Sequence, residues 1–241
     1  MAEGPLAGRR VVVTRPREHA GPLVAELERQ GAEASVVPLI EVVPLGDGGD
    51  LRRLVESGDY DWIVFTSANA VRAVGSALGR LSARVAAIGP ATASEVRAGG
   101  VEPAFVPDRF AAAEIADGLE PLAGARVLLP QSEIAEPSFA DGLRTRGAIV
   151  DVVDAYRTVA VEPSAADLAR LRRADAILLA SGSAARSLAE TGARSESTLV
   201  VCIGPSTAEA ARAAGLEVHL VAEDATGQGM IRALVAHDGK R

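Results

Sequence analysis

Rings are scarce: Phe, Trp and Tyr together make up only 3% of this 241-residue chain. Proteins that stack bases need aromatic platforms, and no Lys/Arg run stands outside the closing Gly239-Lys240-Arg241 of a chain with net charge −7. Nucleic acid and anionic membrane surfaces are therefore not expected partners. With a single cysteine no internal disulfide can form, and Cys202, set in the apolar run "TLVVCI", reads as a buried structural thiol. Three histidines, His19, His219 and His237, lack metal-ligand spacing. No apolar run reaches the roughly 18 residues of a membrane span, and the amino terminus does not read as a signal peptide, so a cytoplasmic location is expected. There is no G-x-G-x-x-G, Walker A, G-x-S-x-G elbow or triad constellation. Neither a nucleotide cofactor nor a metal is expected, and an enzyme of this make-up would work by positioning and backbone electrostatics.

What the chain does have is a sentence written twice. "VAAIGPATASEVRAGG" from Val85 is answered by "VVCIGPSTAEAARAAG" from Val200, with the two Gly-Pro pairs, Gly89-Pro90 and Gly204-Pro205, 115 residues apart. "DWIVFTSANAVRAV" from Asp61 is answered by "DAILLASGSAARSL" from Asp175, and the stretch from Arg9 by the stretch from Ala125. Solenoid repeats run at about 20 to 50 residues, so a period this long is a duplicated domain. The length suits two domains, each large enough for its own core, built here from Ala, Val, Leu and Ile.

Short apolar runs alternate with Ala-rich segments of helical period, which predicts α/β architecture with parallel sheets covered on both faces. Ten strand candidates, five per domain, are "VVVT", "ASVVP", "WIVFT", "VAAI", "PAFVP", "RVLLP", "IVDVV", "AILLA", "VVCI" and "EVHLV". Helix starts are predicted at Ser67 and Asn69, at Ala91-Thr92, at Ser183 and at Ser206-Thr207. Two runs break the rhythm: "PLIEVVPL" from Pro38 and "DAYRTVAVEP" from Asp154 each follow another strand with no helix between. They are expected to cross between the domains as a flexible two-stranded β-ladder. One domain would then hold residues 1–38 plus 163–241, the other 46–153, with 39–45 and 154–162 as linker strands. The competing reading makes these runs long edge strands of two sequential domains.

Ligands in open α/β sheets bind beyond the carboxyl ends of strands, where helix N-termini offer unpaired N–H groups. Thr14-Arg15, Thr66-Ser67 with Asn69, Gly89 with Thr92, Ser181-Gly182-Ser183 and Gly204 with Ser206-Thr207 all fall at that edge. Two facing lobes would enclose a cleft lined by such donors. Capping alone accounts for Ser or Thr at any one helix start, but five equivalent turns favour binding. Tyr156, in "DAYRT", is either a proton donor or an aromatic packed on the linker.

Taken together, "TRP" near the amino terminus, "DWIVFTSANAV", "AAIGPATA", "AYRT" and "CIGPSTAEAA" resemble the uroporphyrinogen-III synthase family over nearly the whole chain. The resemblance implies two flavodoxin-like domains, each with a five-stranded parallel sheet, joined by a two-stranded ladder. It further implies a cofactor-independent lyase of porphyrin and heme biosynthesis. Such an enzyme expels the terminal hydroxyl of the linear tetrapyrrole hydroxymethylbilane as water, inverts the last ring through a spirocyclic intermediate and closes the macrocycle. Tyr156 would assist departure of the hydroxyl, and Thr66, Ser67, Thr92, Ser181, Ser183, Ser206 and Thr207 would line the site. Arg15, Arg72, Arg157 and Arg186 would help locally with the eight substrate carboxylates. A monomer in transient contact with hydroxymethylbilane synthase is expected. Where many members carry Arg-Gly after "VLLP", this chain has Gln131-Ser132, which removes a cation from that turn. The alternative class is a two-lobed regulatory module that binds a small anion without turnover; a phosphosugar isomerase would use similar turns but needs a His or Glu base.

Overall fold

The computed structural model describes residues 4–45, 49–107, 118–119 and 121–239. The chain divides into two compact units, one made of Met1–Glu41 with Thr158–Arg241, the other of Val42–Arg157.

The first unit contains β1 (Arg10–Val13), α1 (Gly21–Arg29) and β2 (Glu33–Val36), and then, after the excursion through the other unit, α6 (Ala165–Arg173), β8 (Ala176–Leu179), α7 (Gly182–Thr191), β9 (Leu199–Cys202), α8 (Pro205–Ala213), β10 (Leu220–Val221) and α9 (Gly227–Asp238). Its five strands lie in the order β10-β9-β8-β1-β2, with every neighbouring pair parallel. A parallel sheet needs cover on both faces, and the alternation of side chains supplies it. Val12, Ile177, Leu179, Val200 and Cys202 meet Leu171, Ala184, Leu188 and Ala211 of α6, α7 and α8 on one face. Val11, Val13, Leu178 and Val201 meet Leu23 and Leu27 of α1 and Met230, Ile231 and Leu234 of α9 on the other. With both faces buried, the strands read as unbroken apolar runs.

The second unit contains α2 (Gly49–Glu56), β4 (Trp62–Phe65), α3 (Ala68–Val74), β5 (Arg84–Ala87), α4 (Pro90–Ala98), β6 (Arg126–Ser132), α5 (Ser138–Thr145) and most of β7 (Ile149–Ala160). Its sheet runs β3-β7-β6-β4-β5, where β3 is Ile40–Pro44. Ile63, Phe65, Val85, Ala87 and Leu128 pack against α2, α3 and α4, while Trp62, Val64, Ala86, Val127 and Leu129 pack against α5.

Laid over one another, the sheets expose how the duplication is used. The sequence repeat equates β1 with β6, β2 with β7, β4 with β8 and β5 with β9, and the two sheets place these equivalents in the same order. Yet β1 and β2 belong to one unit while β4 and β5 belong to the other. Each unit is therefore assembled from the front of one copy and the back of the other.

Two expectations change. "PAFVP" is not a strand but a single parallel bridge, Phe105 to Ala86, because Pro103 and Pro107 bracket it and cannot donate to a ladder. The second sheet accordingly has four parallel strands, its fifth being β3. "IVDVV" and "DAYRTVAVEP" are one strand, the 12-residue β7. Its first part pairs with β6. Toward its end, Leu45 N–H donates to the Ala155 carbonyl at 3.1 Å and Val161 N–H to the Leu39 carbonyl at 3.0 Å, so β3 and β7 run in opposite directions. The division between the units falls inside both strands.

Candidate active site

In the second unit the carboxyl ends of β4, β6 and β7 converge on one side chain pair. Ser67 is the N-cap of α3, its Oγ accepting from the Asn69 backbone N–H at 3.0 Å. The Tyr156 phenol donates to the same oxygen at 3.0 Å. Two accepted bonds leave the Ser67 hydroxyl proton free to be donated outward from a half-buried position. Tyr156 is fixed from behind. Its ring sits in the core at 7% exposure, and its carbonyl accepts from Glu133 N–H at 3.1 Å. The β6–β7 register shifts between Gln131 and Ser132, and two consecutive buried residues, Ala155 and Tyr156, replace the alternation there. That shift turns the phenol to the α3 side.

Beside this pair, Thr66 is exposed, and Gly89 caps α4 with φ +98°, a backbone that favours glycine. The helix begins at Pro90, so Thr92 lies inside its first turn and is buried. Arg72 is tied down, donating to Asn69 Oδ1 at 2.9 Å and to Glu95 Oε2 at 2.5 Å.

The first unit repeats the layout with differences. Ser181 caps α7 and accepts from Ala184 N–H at 3.2 Å; Gly182 and Ser183 follow inside the helix, both half-buried. Gly182 allows α7 close to α8, since a Cβ there would stand 2.8 Å from that of Ala210. Gly204 caps α8 with an extended backbone, φ −175°, unlike its counterpart Gly89. Thus the helix starts at Pro205, Ser206 is exposed, and Thr207 is buried in the first turn. At the position equivalent to Tyr156 stands Ile40, a core residue.

Some expected donors are otherwise engaged. The Thr14 hydroxyl is fully buried and donates to the Leu178 carbonyl at 2.8 Å, stitching β1 to β8. Arg15 beside it is half-buried. Helix starts predicted at Ala91-Thr92, Ser183 and Ser206-Thr207 move one or two residues earlier, because Pro is well placed in the first helical turn and Ser181 holds the cap. A further turn, outside the repeated motifs, follows β10: Thr226 caps α9, accepting from Gly229 N–H at 3.0 Å and donating to Asp224 at 3.1 Å. Its signal, Thr226-Gly227 ahead of "MIRALV", was present in the sequence. Cys202 is buried, and burial pushes its thiol up to about 11, which makes it a core residue rather than a nucleophile. Among the described residues, no group of three or more His, Cys, Asp or Glu side chains is placed to hold a metal ion. Likewise, no described helix is long and apolar enough to cross a membrane.

The arrangement is thus a set of backbone N–H cradles at strand ends, with one phenol–hydroxyl pair in the second unit. The chain as a whole resembles known proteins. Residues 21–232 match the family profile described as Uroporphyrinogen-III synthase HemD. A uroporphyrinogen-III synthase of Synechococcus elongatus is 31% identical over 168 residues, covering 66% of this chain and 64% of the relative. The porphyrin biosynthesis protein HemD of Ruminiclostridium josui is 31% identical over 251 residues, covering 98% of this chain and 50% of the relative. This chain therefore spans between half and two thirds of the length of these two relatives. Among solved structures, the uroporphyrinogen-III synthetase of Helicobacter pylori superposes with a TM-score of 0.66 at 15% identity, covering 95% of this chain and 99% of that one, a likeness of fold. With a family profile spanning all but the ends of the chain and the repeated strand-end turns in place, the chain belongs to the uroporphyrinogen-III synthase family.

Proposed function

We propose that this chain closes hydroxymethylbilane to uroporphyrinogen III, expelling the terminal hydroxyl as water and inverting the last ring through a spirocyclic intermediate. Family membership supports the reaction, and the observation that carries its chemistry is the Tyr156–Ser67 hydrogen bond at 3.0 Å. Departure of hydroxide is eased by a proton or a strong hydrogen bond, and this pair presents a donor whose second member is reachable from outside the core. Electron-rich pyrroles supply the push. The protein supplies geometry, through N–H groups at the starts of its helices, each able to hold a carboxylate without net positive charge. Thr66, Asn69, Gly89, Ser181, Gly182, Ser183, Gly204 and Ser206 remain in this reading as substrate-facing positions, mainly through backbone. Thr92 and Thr207, both buried, shape the turns, and Thr14 acts on the sheet.

The strand order of the first unit, 2-1-3-4-5 when numbered along its own chain, supports a flavodoxin-like kinship for the domains. Residues 39–45 and 154–162 are taken as the linker strands, and the protein as a cytoplasmic monomer needing no cofactor. The deciding experiment supplies freshly made hydroxymethylbilane and separates the products. The III isomer in excess over the spontaneous I isomer is the expected result; an unchanged I product refutes the assignment.

A further inference from the structure

The duplication places two arginines at equivalent positions, one turn into the helices that follow the equivalent strands β4 and β8: Arg72 on α3 and Arg186 on α7. Their surroundings have diverged. Arg72 is neutralised by Glu95 at 2.5 Å and held by Asn69 at 2.9 Å. At the position equivalent to Glu95 the first unit has Ala210, and at that of Asn69 it has Ser183. Arg186 is exposed, its one described hydrogen bond being a long 3.3 Å contact to Ser183 Oγ, and among the described residues no carboxylate pairs with it. Gly182 lies just beneath it, so that a Cβ there would be 3.5 Å from the Arg186 guanidinium and 2.8 Å from Ala210. A guanidinium with no carboxylate partner among the described residues therefore stands over the Ser181-Gly182-Ser183 turn, where a glycine and an alanine keep the neighbouring side chains small.

We propose that Arg186 binds a carboxylate of the substrate, a role that Glu95 has taken from its twin Arg72. The inference rests on the reading of the ligand as a polycarboxylate tetrapyrrole. A guanidinium with free donors pairs carboxylate in a two-pronged geometry that a solvated partner does not match. The two units then divide the work: the second holds the phenol–hydroxyl pair with its arginine silenced, and the first has Ile40 in place of the phenol and its arginine open.

The test is a fluorescence titration with uroporphyrin III, the stable octacarboxylate obtained by oxidising the expected product. Arg186→Ala should weaken binding about tenfold, the worth of one charge-assisted hydrogen bond. Arg212→Ala, an exposed arginine in the last turn of α8, removes the same charge and should change affinity by less than about twofold if the effect is local. Ala210→Glu supplies the missing partner and should copy the Arg186→Ala loss. With hydroxymethylbilane, Arg186→Ala should raise KM by the same factor and keep kcat, the mark of uniform binding. Equal losses in the two arginine variants, no loss in Arg186→Ala, a folded Ala210→Glu that binds as the parent does, or a parent that fails to bind uroporphyrin each overturns the proposal. Should Ala210→Glu not fold, the arginine pair decides. A parent that binds uroporphyrin through Arg186 but forms only the I isomer would remove the synthase assignment and leave this site standing.

Discussion

A phenol that ends 7% exposed yet hydrogen-bonded to a half-buried serine can influence a reaction without touching bulk water. Tyr156→Phe keeps the ring in its core cluster and deletes only the bond to Ser67. Folding should be nearly unchanged, while the rate of III-isomer formation should fall by roughly 10²-fold, the low end of general-acid assistance, because the substrate can ionise unaided. Isomer ratio and rate measured separately check this: an unchanged rate would reduce Tyr156 to packing. The residue types of the candidate site were legible in the sequence, but the pairing of Ser67 with Tyr156 was not. Ser67 and Tyr156 are 89 positions apart, and nothing in local spacing announces that a register shift after Gln131 swings one toward the other. Thr14 shows the opposite failure. A threonine after an apolar run reads as a polar turn, yet the neighbouring strand offers a carbonyl at 2.8 Å that takes its hydroxyl into the core.

At the scale of elements, the two sheets are latched the same way. Asp175, just ahead of β8, accepts from the Arg10 backbone N–H at 2.8 Å and from the Arg10 guanidinium at 2.8 Å. Asp61, ahead of β4, accepts from Arg126 N–H at 2.8 Å. Each aspartate thereby fixes its strand to the neighbouring strand before the ladder begins. Hydrogen bonding to Arg10 holds the Asp175 carboxyl below its usual range, against the opposing effect of burial. A depressed folded value stabilises the protein above the ordinary carboxylate pKa of about 3.9 and loses that contribution as pH falls through the folded value. Asp175→Ala should therefore lower Tm at pH 7 by about 2–4 °C, for a loss of about 1 kcal/mol in a chain of this size. That gap should shrink toward pH 3. Thermal melts of both proteins across pH 3–7 test it, and a gap independent of pH would show that the charge is irrelevant. Elements were the most legible level, since strands covered on both faces have no choice but to be apolar. Their edges were less so: the bridge at Phe105 lost its ladder to two prolines, and helices began at Pro90 and Pro205 rather than at the hydroxyl residues beyond them.

For the molecule as a whole, the proposed function sets net charge −7 against an eight-carboxylate substrate at long range, while Arg186 and the N–H cradles would attract it at short range. Salt screens the first far more than the second, the Debye length falling from about 30 Å at 0.01 M to about 8 Å at 0.15 M. Raising ionic strength over that span should therefore increase kcat/KM for hydroxymethylbilane, where a steered association would slow. A monotonic fall in kcat/KM would mean that attraction governs the approach. The duplication and the two runs that break the βα rhythm were both readable from the sequence, because an offset of about 115 residues recurs in several segments and because a strand-like run with no helix before it cannot continue that rhythm. The repeat by itself does not say that its copies trade halves, since self-similarity records descent and not which segments end up packed together; it is the two runs that break the βα rhythm that point to it.

That exchange orders events in time. The segment 42–157 is continuous, so it has been synthesised in full once the chain has been made to Arg157. The βαβ segment of β1, α1 and β2, by contrast, must wait for β8, more than 130 residues after β2, before its central edge can pair. At a synthesis rate of roughly 5–20 residues per second that is a delay of about 7–30 s. Throughout it, Val11, Val12 and Val13 have β2 and α1 beside them but lack β8 and the later helices that complete their burial, so an early segment of this chain is among the last to be finished.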